Sequence, residues 1–156
     1  MAAETFVYVT YIRTTVEKLW EALTEPQFTR RYWSGIHQES DWRPGSSWAL
    51  KSSDGDLWDS GQVLEIERPR RLVVSWRNEA FEWAHAIGFT RCTFELAPQG
   101  ETVKLTITHE VPAGGTRLKD AISQGWPHIL SSLKSLLETG QPLPSMPLPK
   151  PERRPA

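Results

Sequence analysis

The chain has 156 residues, 38% of them hydrophobic and 24% charged, with a formal net charge of −1, a composition that suits one globular domain with a core of its own. So balanced a charge excludes the strong field that draws a protein to nucleic acid or anionic lipid, and no apolar run approaches the ~18 residues of a membrane span. Met1-Ala2-Ala3-Glu4 lacks the basic-then-apolar pattern of a secretory signal, and the lone Cys92 forms no internal disulfide, so the expected setting is soluble, cytoplasmic and reducing.

Phe6 to Ile12 alternates aromatic and β-branched side chains and predicts a strand. Bulk on both of its faces predicts cover on both sides. Thr14 and Glu17 stand at capping-box spacing, and Val16, Leu19, Trp20 and Leu23 then recur at helical intervals on one apolar face. Pro26 ends this helix and opens a second short one through Tyr32 and Trp33.

From about Gly35 to Val111 the period changes to that of strands. Pro44-Gly45 and Asp54-Gly55 mark turns, and Trp48 and Leu50 share a face. Gln62 to Glu67 and Leu72 to Arg77 predict two strands joined through Arg68-Pro69-Arg70, with Leu72, Val74 and Trp76 on one side and the paired arginines on a solvated hairpin face. Asn78 to Gly88 reads as a loop that carries Trp83 near the mouth of any cavity. Cys92, Phe94 and Leu96 share one parity; after the turn at Pro98-Gln99-Gly100, so do Val103, Leu105, Ile107, His109 and Val111. Consecutive strands with short turns imply an antiparallel meander.

A broad apolar stripe then runs from Leu118 through Ala121, Ile122, Gly125, Trp126, Ile129, Leu130 and Leu133 to Leu137, and Gly140 supplies a stop. Pro127 inside it favours a kink. Residues 1–140 therefore form one domain. Residues 141–156, holding six of the twelve prolines, read as a disordered or polyproline-like tail with one PxxP match, Pro144-Ser145-Met146-Pro147.

The order is strand, two short helices, about six strands and one long helix, an α+β arrangement. A curved antiparallel sheet wrapped around one helix is wider than the helix fills, so a cavity is expected between them.

Several strings in this order resemble the START-like, or SRPBCC, superfamily with its helix-grip fold, and within it the group similar to the activator of heat-shock-protein-90 ATPase. They are Val16-Glu17-Lys18-Leu19-Trp20-Glu21-Ala22-Leu23-Thr24, Arg31-Tyr32-Trp33, Gly61-Gln62-Val63-Leu64-Glu65, Pro69-Arg70-Arg71-Leu72-Val73-Val74-Ser75-Trp76, Thr106-Ile107-Thr108-His109-Glu110, and Gly125-Trp126-Pro127-His128-Ile129-Leu130-Ser131-Ser132-Leu133-Lys134. The resemblance spans residues 5 to 140 and implies the fold. It leaves function open, because this superfold hosts carriers, cyclases, hydrolases and co-chaperone domains.

The scattered His37, His85, His109 and His128 give no metal-ligand spacing. No nucleophile elbow or phosphate-cradling loop is present, so no metal and no cofactor is expected. Cys92 reads as a small buried thiol. Among eight tryptophans, Trp20 reads as plain core, whereas Trp33, Trp42, Trp48, Trp76 and Trp126 are candidates for lining a pocket, with Leu130 on the same helix stripe. His109 lies on an inward parity, either as a hydrogen-bonded core histidine or as the group that orients a ligand; no catalytic residue is assigned.

The leading expectation is a binder of a small hydrophobic molecule, lipid-like, aromatic or polyketide-like. A cyclase or dehydratase would need an acid–base pair, His109 with Asp41, Glu65 or Glu95. The resemblance also implies a possible chaperone partner. In the eukaryotic co-chaperones a separate N-terminal domain contributes to chaperone binding, and 156 residues leave no room for one, so this reading ranks lowest.

Overall fold

Residues 3–153 are described by the computed structural model. Met1-Ala2 of the N-terminal reading and the last three residues of the proline-rich tail lie outside them.

Seven strands form one antiparallel sheet: β1 (Glu4–Ile12), β2 (His37–Ser40), β3 (Ser47–Lys51), β4 (Leu57–Glu67), β5 (Arg71–Asn78), β6 (Thr90–Gln99) and β7 (Thr102–Val111). Their order is β1-β7-β6-β5-β4-β3-β2, so the first strand returns to pair with the last while the rest form a meander. Period-two alternation decides which side chains face inward. On β7, Val103, Leu105, Ile107, His109 and Val111 are buried, and β6 sets Phe94 opposite Ile107 and Cys92 opposite His109.

Four helices accompany the sheet: α1 (Val16–Thr24), α2 (Pro26–Tyr32), α3 (Glu82–Ile87) and α4 (Thr116–Thr139). α1 starts one residue later than the capping-box spacing indicates. Thr15 is the cap and its hydroxyl accepts from the Lys18 N–H, satisfying one of the donors a helix start leaves open. α1 buries Leu19, Trp20 and Leu23, each worth roughly 1.5–3 kcal/mol of transfer free energy. α3 occupies part of the segment expected to be a loop; six residues are too few for the 3.6-residue period to show. α4 continues as one helix through Pro127.

β1 departs from expectation. Its inward residues contact the core, but Val7, Val9 and Tyr11 are exposed, Val7 at 55%. β1 is an edge strand, and its outer face belongs to the side of the sheet that no helix among the described residues covers. Further along that side, Arg71 bridges Glu65 and Glu95 at 3.0 and 3.2 Å, and Arg91 reaches Glu110 at 3.5 Å.

The proline-rich segment has neither helix nor strand through residue 153, yet it lies against the body. The Leu143 N–H donates to Ser132 Oγ and the Met146 N–H to Ser34 Oγ. The Glu152 and Arg153 N–H groups donate to the Ala80 carbonyl, and the Arg153 guanidinium pairs with Glu82 at 2.8 Å. It thus runs from the end of α4 past the α2–β2 connection to the turn before α3.

The two halves of α4 meet the sheet differently. Trp126, Leu130, Leu133 and Leu136 are buried. In the preceding turns the same stripe carries Leu118, Ala121, Ile122 and Gly125, which stay partly or fully exposed. Where the stripe has leucines the helix closes on the sheet; where it has alanine and glycine at adjacent turns the space is not filled.

Candidate functional site

That unfilled space is a cavity of about 250 Å³. β4 and β5 supply Asp59, Trp76 and Asn78; β6 and β7 supply Thr90 and His109. α4 supplies Ile122, Gly125, Trp126 and Ile129; α3 and the turn before it supply Phe81, Trp83 and Ala84; Trp33 enters from the end of α2.

The indoles form a contiguous cluster. The Trp76 ring centroid lies 6.2 Å from that of Trp33, 4.6 Å from Trp48, 5.4 Å from His109 and 5.5 Å from Trp126. Trp33 and Trp126 meet edge-on at 5.6 Å. These tilted and T-shaped contacts are the geometries that aromatic quadrupoles favour, and they hold the walls in place.

Of the expected site residues, Trp33, Trp76, His109 and Trp126 line the cavity, and Trp83 lines it as well. Trp48 and Leu130 do not. Trp48 is fully buried behind Trp76, its indole N–H donating to Gln38 Oε1 at 2.7 Å, and Leu130 belongs to the closed half of α4. Trp42 lies elsewhere. It has a left-handed backbone, φ 53°, and edges a separate polar groove with Gln38, Glu39, Asp41 and Lys51. The size of an indole does not reveal which layer receives it.

His109, 2% exposed, is fixed at both ring nitrogens. The Trp126 indole N–H donates to Nδ1 at 3.2 Å. That leaves the hydrogen on Nε2, which donates to Thr90 Oγ1 at 2.7 Å, and the Thr90 hydroxyl donates to the Trp76 carbonyl at 2.8 Å. Burial disfavours the imidazolium and lowers the pKa to about 4. With its lone pair occupied by Trp126, this histidine is a strut between helix and sheet. None of the proposed acid–base partners reaches it: Glu65 and Glu95 are on the outer face of the sheet, and Asp41 is in the groove beside Trp42.

Asp59 was not anticipated. It sits opposite Asn78 in the β4–β5 register, and its carboxylate accepts from Asn78 Nδ2 at 3.2 Å and from the Trp76 side chain. Burial pushes its pKa up to about 7, with the charge of Glu79 acting in the same direction and the two hydrogen bonds opposing. The signal was available: Asp59 shares the parity of Val63. Strand alternation is visible only from Gln62 onward, because Asp59-Ser60-Gly61 gives no apolar alternation.

These two groups tilt the pH dependence of stability in opposite senses. Between about 4 and the unperturbed 6.5, unfolded His109 binds more protons than folded His109, so its contribution is complete above 6.5 and is lost as pH falls toward 4. Asp59 is the reverse. Its folded form holds a proton between 3.8 and about 7 that the unfolded form has released, so its contribution is complete below 3.8 and is lost as pH rises to about 7. Across the shared window the slopes oppose. In Asp59→Asn, which keeps the amide pairing with Asn78, stability from urea titrations is expected to fall more steeply on acidification from pH 6.5 to 4 than in the parent. Parallel profiles would contradict the assignment.

A curved sheet closed on one long helix, with an indole-lined hollow between them, defines a helix-grip protein of the START-like class. The chain belongs to the family of activator of Hsp90 ATPase homolog 1-like proteins, whose model matches residues 13–138. No curated protein matches it. Among solved structures it is similar to CalU16 from Micromonospora echinospora (24% identity, TM-score 0.74, covering 99% of this chain and 77% of that one). It is similar to DynU16, a protein of the dynemicin biosynthetic locus (22%, TM-score 0.74, 88% and 48%). A third is PFC0360w, an Hsp90 activator from Plasmodium falciparum (21%, TM-score 0.69, 85% and 95%). At these identities the likeness establishes the fold.

Proposed function

We propose that this protein binds a small hydrophobic molecule in the cavity between α4 and the sheet. The carrying observation is the hollow of about 250 Å³ walled by Trp33, Trp76, Trp83, Trp126 and Phe81. Removing apolar ligand surface from water gains roughly 25 cal/mol per Å², and fixed aromatic walls reduce the ordering cost of binding. Flat indole surfaces favour an aromatic or polyketide-like occupant, and the similarity to a protein of the dynemicin biosynthetic locus fits that class. A binder is favoured over a cyclase because both nitrogens of His109 are engaged within the protein. Titration with the neutral probe propylnaphthalene, followed by tryptophan fluorescence, is expected to give saturable quenching with one site. A response that grows linearly without saturation would count against the proposal.

The family match and the Plasmodium neighbour favour a second reading, action on a chaperone ATPase. Stimulation of Hsp90 ATPase by the purified chain would support it, and an unchanged rate with no complex in a pull-down would dispose of it.

A further inference from the structure

The cavity walls are mainly apolar, with Asp59, Asn78, Thr90 and His109 as the polar side chains. Asp59 and His109 are the ionisable groups among its described lining residues, and both nitrogens of His109 are occupied. The Asp59 carboxylate receives two neutral donors, Asn78 and the Trp76 side chain, and no ion pair to it exists among the described residues. The nearby basic side chains face another carboxylate: Arg77 Nε lies 2.5 Å and His85 Nε2 3.8 Å from Glu79. A carboxylate in an aromatic enclosure lacks the counter-charge that would offset its lost hydration.

We propose that the ligand of this cavity carries a protonated amine, received by the Asp59 carboxylate among the indoles of Trp33, Trp76, Trp83 and Trp126. The inference rests on the reading of the cavity as a binding site and adds the ligand's charge. A hydroxyl would satisfy a lone pair of Asp59 but leave its charge uncompensated. An ammonium compensates it and is attracted to the faces of the surrounding rings. An anionic ligand meets the same carboxylate as a repulsion. The rest of the molecule is apolar, because α4 offers only Leu118, Ala121, Ile122, Gly125, Trp126 and Ile129 to the opposite wall.

The charged and titratable groups around Asp59 are few. His109 faces the cavity from β7 and stays neutral above about 4. Glu79, just beyond the end of β5, faces Arg77 of β5 and His85 of α3. Arg117, in the first turn of α4, has its guanidinium 4.0 Å from the Trp83 ring centroid. Asp59 is therefore the group within the hollow whose ionisation follows pH near neutrality.

Calorimetric titration of three probes of one shape decides the matter: naphthylethylamine, neutral propylnaphthalene and anionic naphthylacetate. At about pH 8 the amine is expected to bind at least about tenfold more tightly than propylnaphthalene, with naphthylacetate weakest. In Asp59→Asn the ratio of amine to propylnaphthalene affinity should shrink to about twofold or less. In the unaltered protein, amine affinity should rise with pH through about 7 and then level, a readout that needs no variant. Equal binding of amine and neutral probe, an amine preference that survives Asp59→Asn, or an amine affinity independent of pH would overturn the proposal while leaving an apolar binding site intact. Binding of none of the three would overturn both.

Discussion

Gly125→Leu is expected to lower the affinity for propylnaphthalene at least about tenfold without lowering stability. Gly125 is partly buried on the cavity side of α4, and a Cβ built there meets no atom within 4 Å. A leucine side chain would project into the space an apolar ligand needs and contact the indoles in its place. In a helix interior, glycine is less favourable than leucine by somewhat under 1 kcal/mol, and burial of the new side chain adds to the gain. Loss of binding should therefore come with a midpoint in urea equal to or above that of the parent. A variant that binds as before would mean the ligand lies elsewhere. One that unfolds early would mean the hollow is not open at this position.

Gly61→Ala is expected to cost about 3 kcal/mol, at the upper end of what overpacking usually does. Here the glycine is required by a close approach of backbone. Its Cβ would fall 1.7 Å from the Ser75 carbonyl oxygen and 2.5 Å from the carbonyl carbon, so β4 and β5 would have to part. The next residue is tied to the same place, the Gln62 N–H donating to Ser75 Oγ at 2.9 Å. Asp59 and Trp76 sit on these two strands beside the contact, so the variant should lose both stability and the pairing of Asp59 with Asn78. A urea midpoint corresponding to a loss below about 1 kcal/mol would show that the strands shift without strain.

The parts of the fold readable in the sequence were those where one face is buried and the other solvated. Leu72, Val74 and Trp76, then Cys92, Phe94 and Leu96, then Leu105, Ile107 and His109 repeat with period two, and their inward parity follows directly. The stripe of α4 was readable for the same reason. Where that contrast fails, so does the reading. Val7, Val9 and Tyr11 are as bulky as their inward neighbours, so nothing in β1 marks its outer face as exposed.

Only part of the cavity lining follows from the sequence. Four of the expected residues meet at the cavity: Trp76 and His109 on inward strand parities, Trp126 on the stripe of α4 and Trp33 at the end of α2. Trp48 has the right parity but one strand further along the sheet, where Trp76 and Gln38 cover it. Trp42 has only its ring to suggest a pocket, and its left-handed backbone takes it to another surface. The position of the hollow was encoded in Ala121 and Gly125, one helical turn apart, a pattern that matters only once the helix is laid on the sheet.

The indole N–H resonances offer the most direct test of whether the gap beneath the first turns of α4 takes up apolar molecules. On titration of the labelled protein with propylnaphthalene, the signals of Trp33, Trp76, Trp83 and Trp126 should shift together and saturate, those of Trp20 and Trp42 should stay in place, and Trp48 and Trp58 should respond weakly through their contacts with Trp76 and Phe81. Unmoved cavity indoles at saturating probe, or shifts centred on Trp42, would contradict the account.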